Sequence, residues 1–178
     1  MPTIITHPVP VLALGMGLGT GLVSLRLLLA GAFCAVLPDF DVIGFRFGVN
    51  YADLLGHRGL SHSLVFAVGI GLLAACAAPL LKSGRLTAFW VCFFAVVSHS
   101  ALDAMTTGGM GVAALYPFSE ERYFLPWRPI RVSPFSPRAF LSERGIAVLV
   151  SEFLWVWLPS LALGMVAVLA ARLRQRKK

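Results

Sequence analysis

The chain has 178 residues, 58% of them hydrophobic and only 13% charged, where a soluble domain has about 45–50% and about 25%. These proportions exclude a soluble globular protein. They predict an all-α, polytopic membrane protein, a single integral-membrane domain over residues 1–178 with about four to five membrane helices of about 20 residues each. Much of the net charge of +7 lies in the tail 172–178, with Arg172, Arg174, Arg176, Lys177 and Lys178 directly behind an apolar run. No nucleic-acid fold signature accompanies it. The tail therefore reads as the cytoplasmic end of a helix in contact with membrane lipids, and no nucleic-acid partner is expected.

In chain order, residues 8–38 are apolar but too long for one simple span, and Gly19-Thr20-Gly21 and Arg26 interrupt them. The pattern predicts two short helices, about 9–20 and 25–37, with the glycines permitting a bend; one long tilted helix is the alternative. A polar and aromatic stretch runs from Pro38 to His62. An apolar run of span length follows from Ser63 to Leu81 and stops at Lys82-Ser83-Gly84-Arg85. Residues 86–105 form the next predicted helix, with His99 and Asp103 in its last two turns and Gly108-Gly109 as its stop.

Residues 106–143 contain Pro117, Pro126, Pro129, Pro134 and Pro137, which deny continuous helix. Between them lie Arg122, Arg128, Arg131, Arg138 and several aromatics, a composition suited to the head-group level and to capping a cavity. The last span, about 145–171, contains Pro159, where a kink is expected. Cys34, Cys76 and Cys92 sit inside apolar runs without a CxxC pair and read as small buried hydrophobes. The N-terminus lacks a basic n-region, so no cleavable secretory signal is expected.

Three of the four histidines fall in two polar islands at the ends of apolar runs, His57-Arg58-Gly59-Leu60-Ser61-His62-Ser63 and Ser98-His99-Ser100-Ala101-Leu102-Asp103. His7 precedes the first run. Ionisable groups so placed are costly to desolvate unless paired, hydrated or bound to metal. His99 and Asp103, four apart, share one helix face and can grip one cation; alternatively, Asp103 orients the imidazole. His57 and His62 flank a loop-to-helix junction, where Ser61 or Ser63 can cap the helix. Asp39 and Asp41 alternate in Leu37-Pro38-Asp39-Phe40-Asp41, as a cap or as a pair around a cation.

Together His7, Asp39, Asp41, His57, His62, His99 and Asp103 supply nitrogen and oxygen ligands enough for one or two divalent transition metals, zinc first, manganese or iron next. The chain lacks a GxSxG elbow, a P-loop and a dinucleotide fingerprint.

A cytoplasmic tail puts all of these ligands on the opposite membrane face. The inner loops then carry eight Lys or Arg residues and the outer ones seven, a small bias. The short loop at 82–85 and the dense tail favour a cytoplasmic C-terminus and a site facing away from the cytoplasm.

At these residues the chain resembles the YdjM family of bacterial inner-membrane, metal-dependent hydrolases. The matching pieces are His7, Leu37-Pro38-Asp39-Phe40-Asp41, Gly56-His57-Arg58-Gly59-Leu60-Ser61-His62-Ser63, and Ser98-His99 through Asp103 to Thr106 and Tyr116-Pro117-Phe118-Ser119. Two positions depart from that pattern. Val42 stands where the family often has His, which removes a ligand, and Ser61 stands for Thr, which keeps a hydroxyl. The family is in turn distantly similar to zinc-dependent phospholipases C and P1-type nucleases, all-helical phosphoesterases, a likeness in which the His99–Asp103 pair shares.

The resemblance implies a membrane-bound metallohydrolase in the bacterial inner membrane, acting on a phosphoester of a lipid or lipid-linked substrate. In this reading Asp39 or Asp41 bridges the metal or orients the attacking water. Arg58 binds a phosphate oxygen or, alternatively, makes a structural salt bridge to Asp39, Asp41 or Asp53. Glu152, in the last span, reads as a carboxylate bonded to a neighbouring element rather than as a further ligand. The rival readings are a metal-stabilised sensor or scaffold without turnover, and an ion transporter, which would place its ligands near the bilayer middle.

Overall fold

A computed structural model describes residues 1–19, 21–134 and 136–175; Thr20 and the tail residues Arg176, Lys177 and Lys178 lie outside the described residues. All the extended elements are helical. Helix α1 (Val9–Leu18) ends at Gly19, whose φ of 79° takes the left-handed region that a glycine enters without strain. Helix α2 (Leu25–Cys34) starts behind Ser24, which accepts the Leu27 N–H as a cap. Residues 8–38 are thus two helices, and the single long helix is excluded.

Past α2, where the sequence predicts a polar, aromatic connection, the chain continues in a 3-10 helix, Leu37–Phe47. Pro38 sits in its first turn, where a missing N–H costs nothing. A 3-10 turn at Leu60–His62 leads into α3 (Leu64–Cys76), capped by Ser63. Helix α4 (Arg85–Ala104) stops before the predicted glycines. The Thr106 hydroxyl donates to the Asp103 carbonyl at 2.7 Å and so satisfies the end of the helix. Gly109, at φ 93°, instead lets the chain pass Arg58, where a Cβ would stand 2.7 Å from Nη1.

A short helix α5 (Pro137–Phe140) precedes α6 (Glu143–Glu152), which runs through a π-helical turn (Phe153–Trp157) into α7 (Leu158–Gln175). The irregularity sits just ahead of Pro159, which has no N–H to close an α-helical bond to Trp155.

Three helical stretches are long and apolar enough to cross a membrane: Leu25–Phe47, Arg85–Ala104 and Glu143–Leu173. Val9–Leu18 and Leu64–Cys76 are shorter apolar helices beside them. Leu27, Ala67, Ala88, Cys92, Ala95 and Val96 form the core between α2, α3 and α4. Outward-facing Phe33, Leu73, Phe94 and Leu163 are each more than half exposed, as lipid-facing residues should be. At the end away from the histidines, Ser24 Oγ donates to the Leu81 carbonyl and Arg26 to that of Leu80, so the α1–α2 and α3–α4 turns meet at one face.

Lipid offers no hydrophobic drive for helix association, so close packing at small residues must supply it. Helices α1 and α7 meet on Gly17 and Gly164; a Cβ at Gly164 would lie 2.6 Å from the Ala13 carbonyl oxygen. Gly164→Ala is expected to cost about 1–3 kcal/mol, and Gly164→Leu to abolish the folded state; thermal unfolding in detergent reads both.

Candidate metal centre

Pro38 starts the 3-10 turn that sends the two aspartates apart. At about three residues per turn, side chains two positions apart diverge by roughly 120°. Asp39 therefore faces His7 and His99, and Asp41 faces His57 and His62. Helix α4 presents His99 and Asp103 one turn apart, both fully buried. The loop at 50–59 is wound so tightly that a Cβ on Gly59 would lie 2.1 Å from the Leu54 carbonyl oxygen. Arg58 inside it takes a positive φ of 66° and is fully buried, backbone strain of a kind that clusters at functional sites.

All seven predicted ligands come together. Asp39, His62, His99 and Asp103 form one group of possible ligand atoms within 4.8 Å of one another, and Asp41, His57 and His62 form a second. In the first, His99 Nε2 lies 3.0 Å from His62 Nε2 and 3.5 Å from Asp39 Oδ1, and His62 Nε2 lies 3.3 Å from Asp103 Oδ2. Atoms bound at 2.0–2.1 Å to one tetrahedral ion stand about 3.3 Å apart, so these spacings suit ligands of a single cation. His99 Nδ1–H donates to the Ala35 carbonyl at 2.7 Å, which turns the Nε2 lone pair into the cluster. His7 stacks on His99 with ring centroids 3.7 Å apart, and its Nε2 reaches within 3.7 Å of Asp39 and 3.9 Å of Asp103.

The two aspartates differ in what surrounds them. Asp41 is hydrogen-bonded by His57 Nδ1 at 2.8 Å, Ser61 Oγ at 2.7 Å and the Arg58 N–H at 3.2 Å. It is a saturated carboxylate that orients its neighbours. By contrast, both oxygens of Asp39, Asp103 Oδ1 and both nitrogens of His7 are buried without a hydrogen-bond partner among the described residues, and Asp103 Oδ2 is met only by the ion pairs of Arg58 and His62. Orphaned buried acceptors at this density are expensive, and a divalent cation is the partner that would satisfy them together. The residues present fit such an ion.

Two histidines outside the spanning segments respond oppositely to this setting. Burial, aided by His99, pushes the His7 pKa down to about 3, so its ring is neutral and ready to ligate. Burial acts the same way on His62, but the Asp103 and Asp41 carboxylates, each 3.3 Å from one of its nitrogens, outweigh it and raise the pKa to about 9. The position between those carboxylates thus favours a positive charge.

The Arg58 guanidinium is engaged on three sides: Nε is 3.0 Å from Asp103 Oδ2, Nη1 donates to the Gly108 carbonyl and Nη2 to Thr106 Oγ1, both at 3.0 Å. Its carboxylate partner is Asp103, none of the three considered from sequence. Val42, the position departing from the family pattern, lies on the 3-10 helix one residue past Asp41.

Glu152 is bonded to a neighbouring element, as expected, and the partner is the segment before α1. It accepts the Thr3 N–H and hydroxyl, each at 2.5 Å, and the Thr6 hydroxyl at 2.6 Å. Trp157 Nε1 donates to Thr6 Oγ1 at 2.8 Å, so the last helix grips the segment that ends in His7.

The sequence carries no signal for the roles of Thr3 and Thr6 or for the Arg58 contact of Thr106, and it places Arg122 at the head-group level, where the structure turns it inward. Arg122 donates to the His57 carbonyl at 3.0 Å and to those of Ala52 and Asp53 at 3.2 and 3.1 Å, clamping the tight loop from above. Short-range sequence patterns carry no signal for such contacts, which join residues about 70 positions apart.

The profile of the family described as YdjM inner membrane protein matches residues 1–177. The chain belongs to the YdjM family. It is also 44% identical over 164 residues to the inner membrane protein YbcI of Escherichia coli (strain K12), covering 92% of this chain and 95% of that protein. This YdjM-family member is therefore an inner-membrane protein with helices able to span the bilayer and a buried Asp/His cluster that could hold a metal ion. No solved structure matches the chain.

If Glu152 sets His7, removing its carboxylate strands three donors at about 1–3 kcal/mol each. Glu152→Ala is expected to lower the unfolding midpoint and to weaken metal retention on dialysis, and Glu152→Gln to do so less; unchanged retention in Glu152→Ala would separate the network from the cluster.

Proposed function

We propose that this YdjM-family protein is a metal-dependent hydrolase acting on a phosphoester of a lipid or lipid-linked substrate. The observation that carries the reading is the convergence of unpartnered buried acceptors on Asp39, Asp103 and His7 with the Nε2 atoms of His62 and His99. These five residues would hold one divalent transition ion, zinc first and manganese or iron next. Bound there, the ion would polarise a phosphoryl oxygen and make water a nucleophile at neutral pH. Asp39, whose oxygens receive no hydrogen bond, would accept the proton of the attacking water. Asp41 would keep His57 and His62 oriented. Arg58 would hold Asp103 in place and set a fixed positive charge beside the developing negative charge.

A lipid substrate is supported by an apolar cavity of about 230 Å³ between the start of α3, the end of α4 and residues 112–125. His62 forms part of its wall beside Leu64, Val97, Val112 and Leu125. A second reading, a metal-stabilised scaffold without turnover, is favoured by the burial of His7, His57, His62, His99 and Asp103, each 0 or 1% exposed.

The test is elemental analysis of detergent-purified protein beside His62→Ala and His99→Ala, followed by hydrolysis of bis(p-nitrophenyl) phosphate and of mixed phospholipids. Near-stoichiometric metal lost in both variants, with turnover lost alongside, is the expected result. Metal without turnover on any of these substrates would move the protein to the scaffold reading. Absence of metal after reconstitution with zinc and manganese would overturn both.

We further propose that the site faces away from the cytoplasm, with the Arg26, Lys82 and Arg85 end inside. Ser119→Cys, in a background with Cys76→Ala, should then react with a membrane-impermeant maleimide added outside spheroplasts. Reaction only after lysis would reverse the orientation.

A further inference from the structure

The helix through α6, the π turn and α7 carries 31 apolar-patterned residues from Glu143 to Leu173. At 1.5 Å per residue it is roughly 46 Å long, against a hydrocarbon core of about 30 Å, so about ten residues stand outside the core. The chemistry of its two ends says which. Trp155, edge-on to Trp127 at 4.8 Å, makes a half-exposed aromatic pair of the kind that marks the membrane interface, and Glu143 and Arg144 lie beyond it in the first turn of α6. The first two turns of α6 therefore stand at head-group depth.

A cleft of about 370 Å³ opens at that level, lined by Thr107, Arg131, Val132, Arg144 and Val148. Its geometry is fixed by the backbone. Ser151 Oγ donates to the Val148 carbonyl at 2.7 Å and accepts the Arg131 N–H at 3.0 Å, which pins Arg131 on the helix face that carries Arg144, Val148 and Ser151. Thr107 Oγ1 accepts the Val132 N–H at 3.2 Å, so its own O–H remains to donate. Both arginines are exposed, and neither guanidinium has a hydrogen bond or ion pair among the described residues. Glu143 lines the neighbouring cleft on the far side of Arg131 but pairs with neither. The contrast with Arg58 and Arg122, whose donors are spent on protein groups, is sharp.

We propose that this cleft binds the phosphate of an anionic membrane lipid, held by Arg131, Arg144 and the Thr107 hydroxyl, with Val132 and Val148 against the apolar part of the head. Two planar guanidinium forks and a hydroxyl suit phosphate oxygens, and the depth of the cleft puts lipid phosphates within reach. Its floor adjoins the metal cluster: Thr107 precedes Gly108, whose carbonyl accepts Arg58, the arginine on Asp103. The proposal stands without metal or turnover, since its ligands belong to neither group of metal-ligating residues.

Native mass spectrometry of the detergent-solubilised full chain, titrated with phosphatidylglycerol and with diacylglycerol of the same chains, tests it. The Arg131→Gln/Arg144→Gln variant should retain phosphatidylglycerol about tenfold less than the parent, while Arg138→Gln, on the same segment but outside the cleft, retains it fully. Diacylglycerol should be retained equally by all three. Equal retention of phosphatidylglycerol by parent and double variant, at equal unfolding midpoints, overturns the proposal. Displacement of the lipid by millimolar inorganic phosphate, with phosphate alone binding the parent and not the double variant, would keep the anion chemistry and overturn the lipid as its source.

Discussion

The costliest feature of this molecule is a knot of four histidines, two carboxylates and an arginine with almost no contact with solvent, at the end of an apolar helical bundle. In low dielectric each charge there must be answered locally. Arg58 answers one face of Asp103, and His62, pushed toward its charged form between Asp103 and Asp41, answers more. Neither reaches Asp39 or the far oxygen of Asp103. The Met1 amine comes no nearer than 3.9 Å to that oxygen, and the acceptors left over are ones that a divalent cation could satisfy together.

Much of the surrounding fold serves to bring this knot together from distant parts of the chain. Helix α4 gives it a rigid edge with His99 and Asp103, and the core between α2, α3 and α4 sets where the Ala35 carbonyl meets His99. The 3-10 helix after Pro38 splits Asp39 from Asp41, making one carboxylate available to a ligand and the other an orienting group. The remaining member, His7, rests on a short segment held by Glu152 and Trp157 from the opposite end of the sequence. A buried carboxylate near the membrane interface is explained by that duty: it takes three hydrogen bonds from the segment before α1.

The apolar helices, the break at Gly19 and the polar residues that gather in the cluster are legible in the sequence, because each depends on local pattern: apolar runs of span length, a glycine pair, and polar residues where polar residues are costly; the 3-10 helix after Pro38 is not. The long-range contacts are not either. That Arg58 would face Asp103 rather than Asp39, Asp41 or Asp53 depends on how the 50–59 loop folds under residues 106–109. Nothing in the spacing of those residues encodes it. The end of α4 agrees with the sequence reading within one residue, but its cause does not. Gly108-Gly109 resembles a helix terminator, yet Thr106 ends the helix with its side chain, and Gly109 is there because Arg58 and Tyr51 leave no space for a Cβ.

The arginines of this protein divide by depth, and that division bears on how a buried centre meets a membrane substrate. Arg58 and Arg122 point inward and spend their donors on carbonyls, a hydroxyl and Asp103, which stiffens the loop carrying His57 and His62. Arg131 and Arg144 stand at the surface with their donors unspent, and Arg128 lies over Phe124 at 4.7 Å. An anionic lipid drawn to the outer arginines would sit above the 106–109 turn that supports Arg58, while the apolar cavity at His62 opens on another side of α4. Under the proposed lipid binding, a charged head and an apolar chain would thus have separate seats around one cluster.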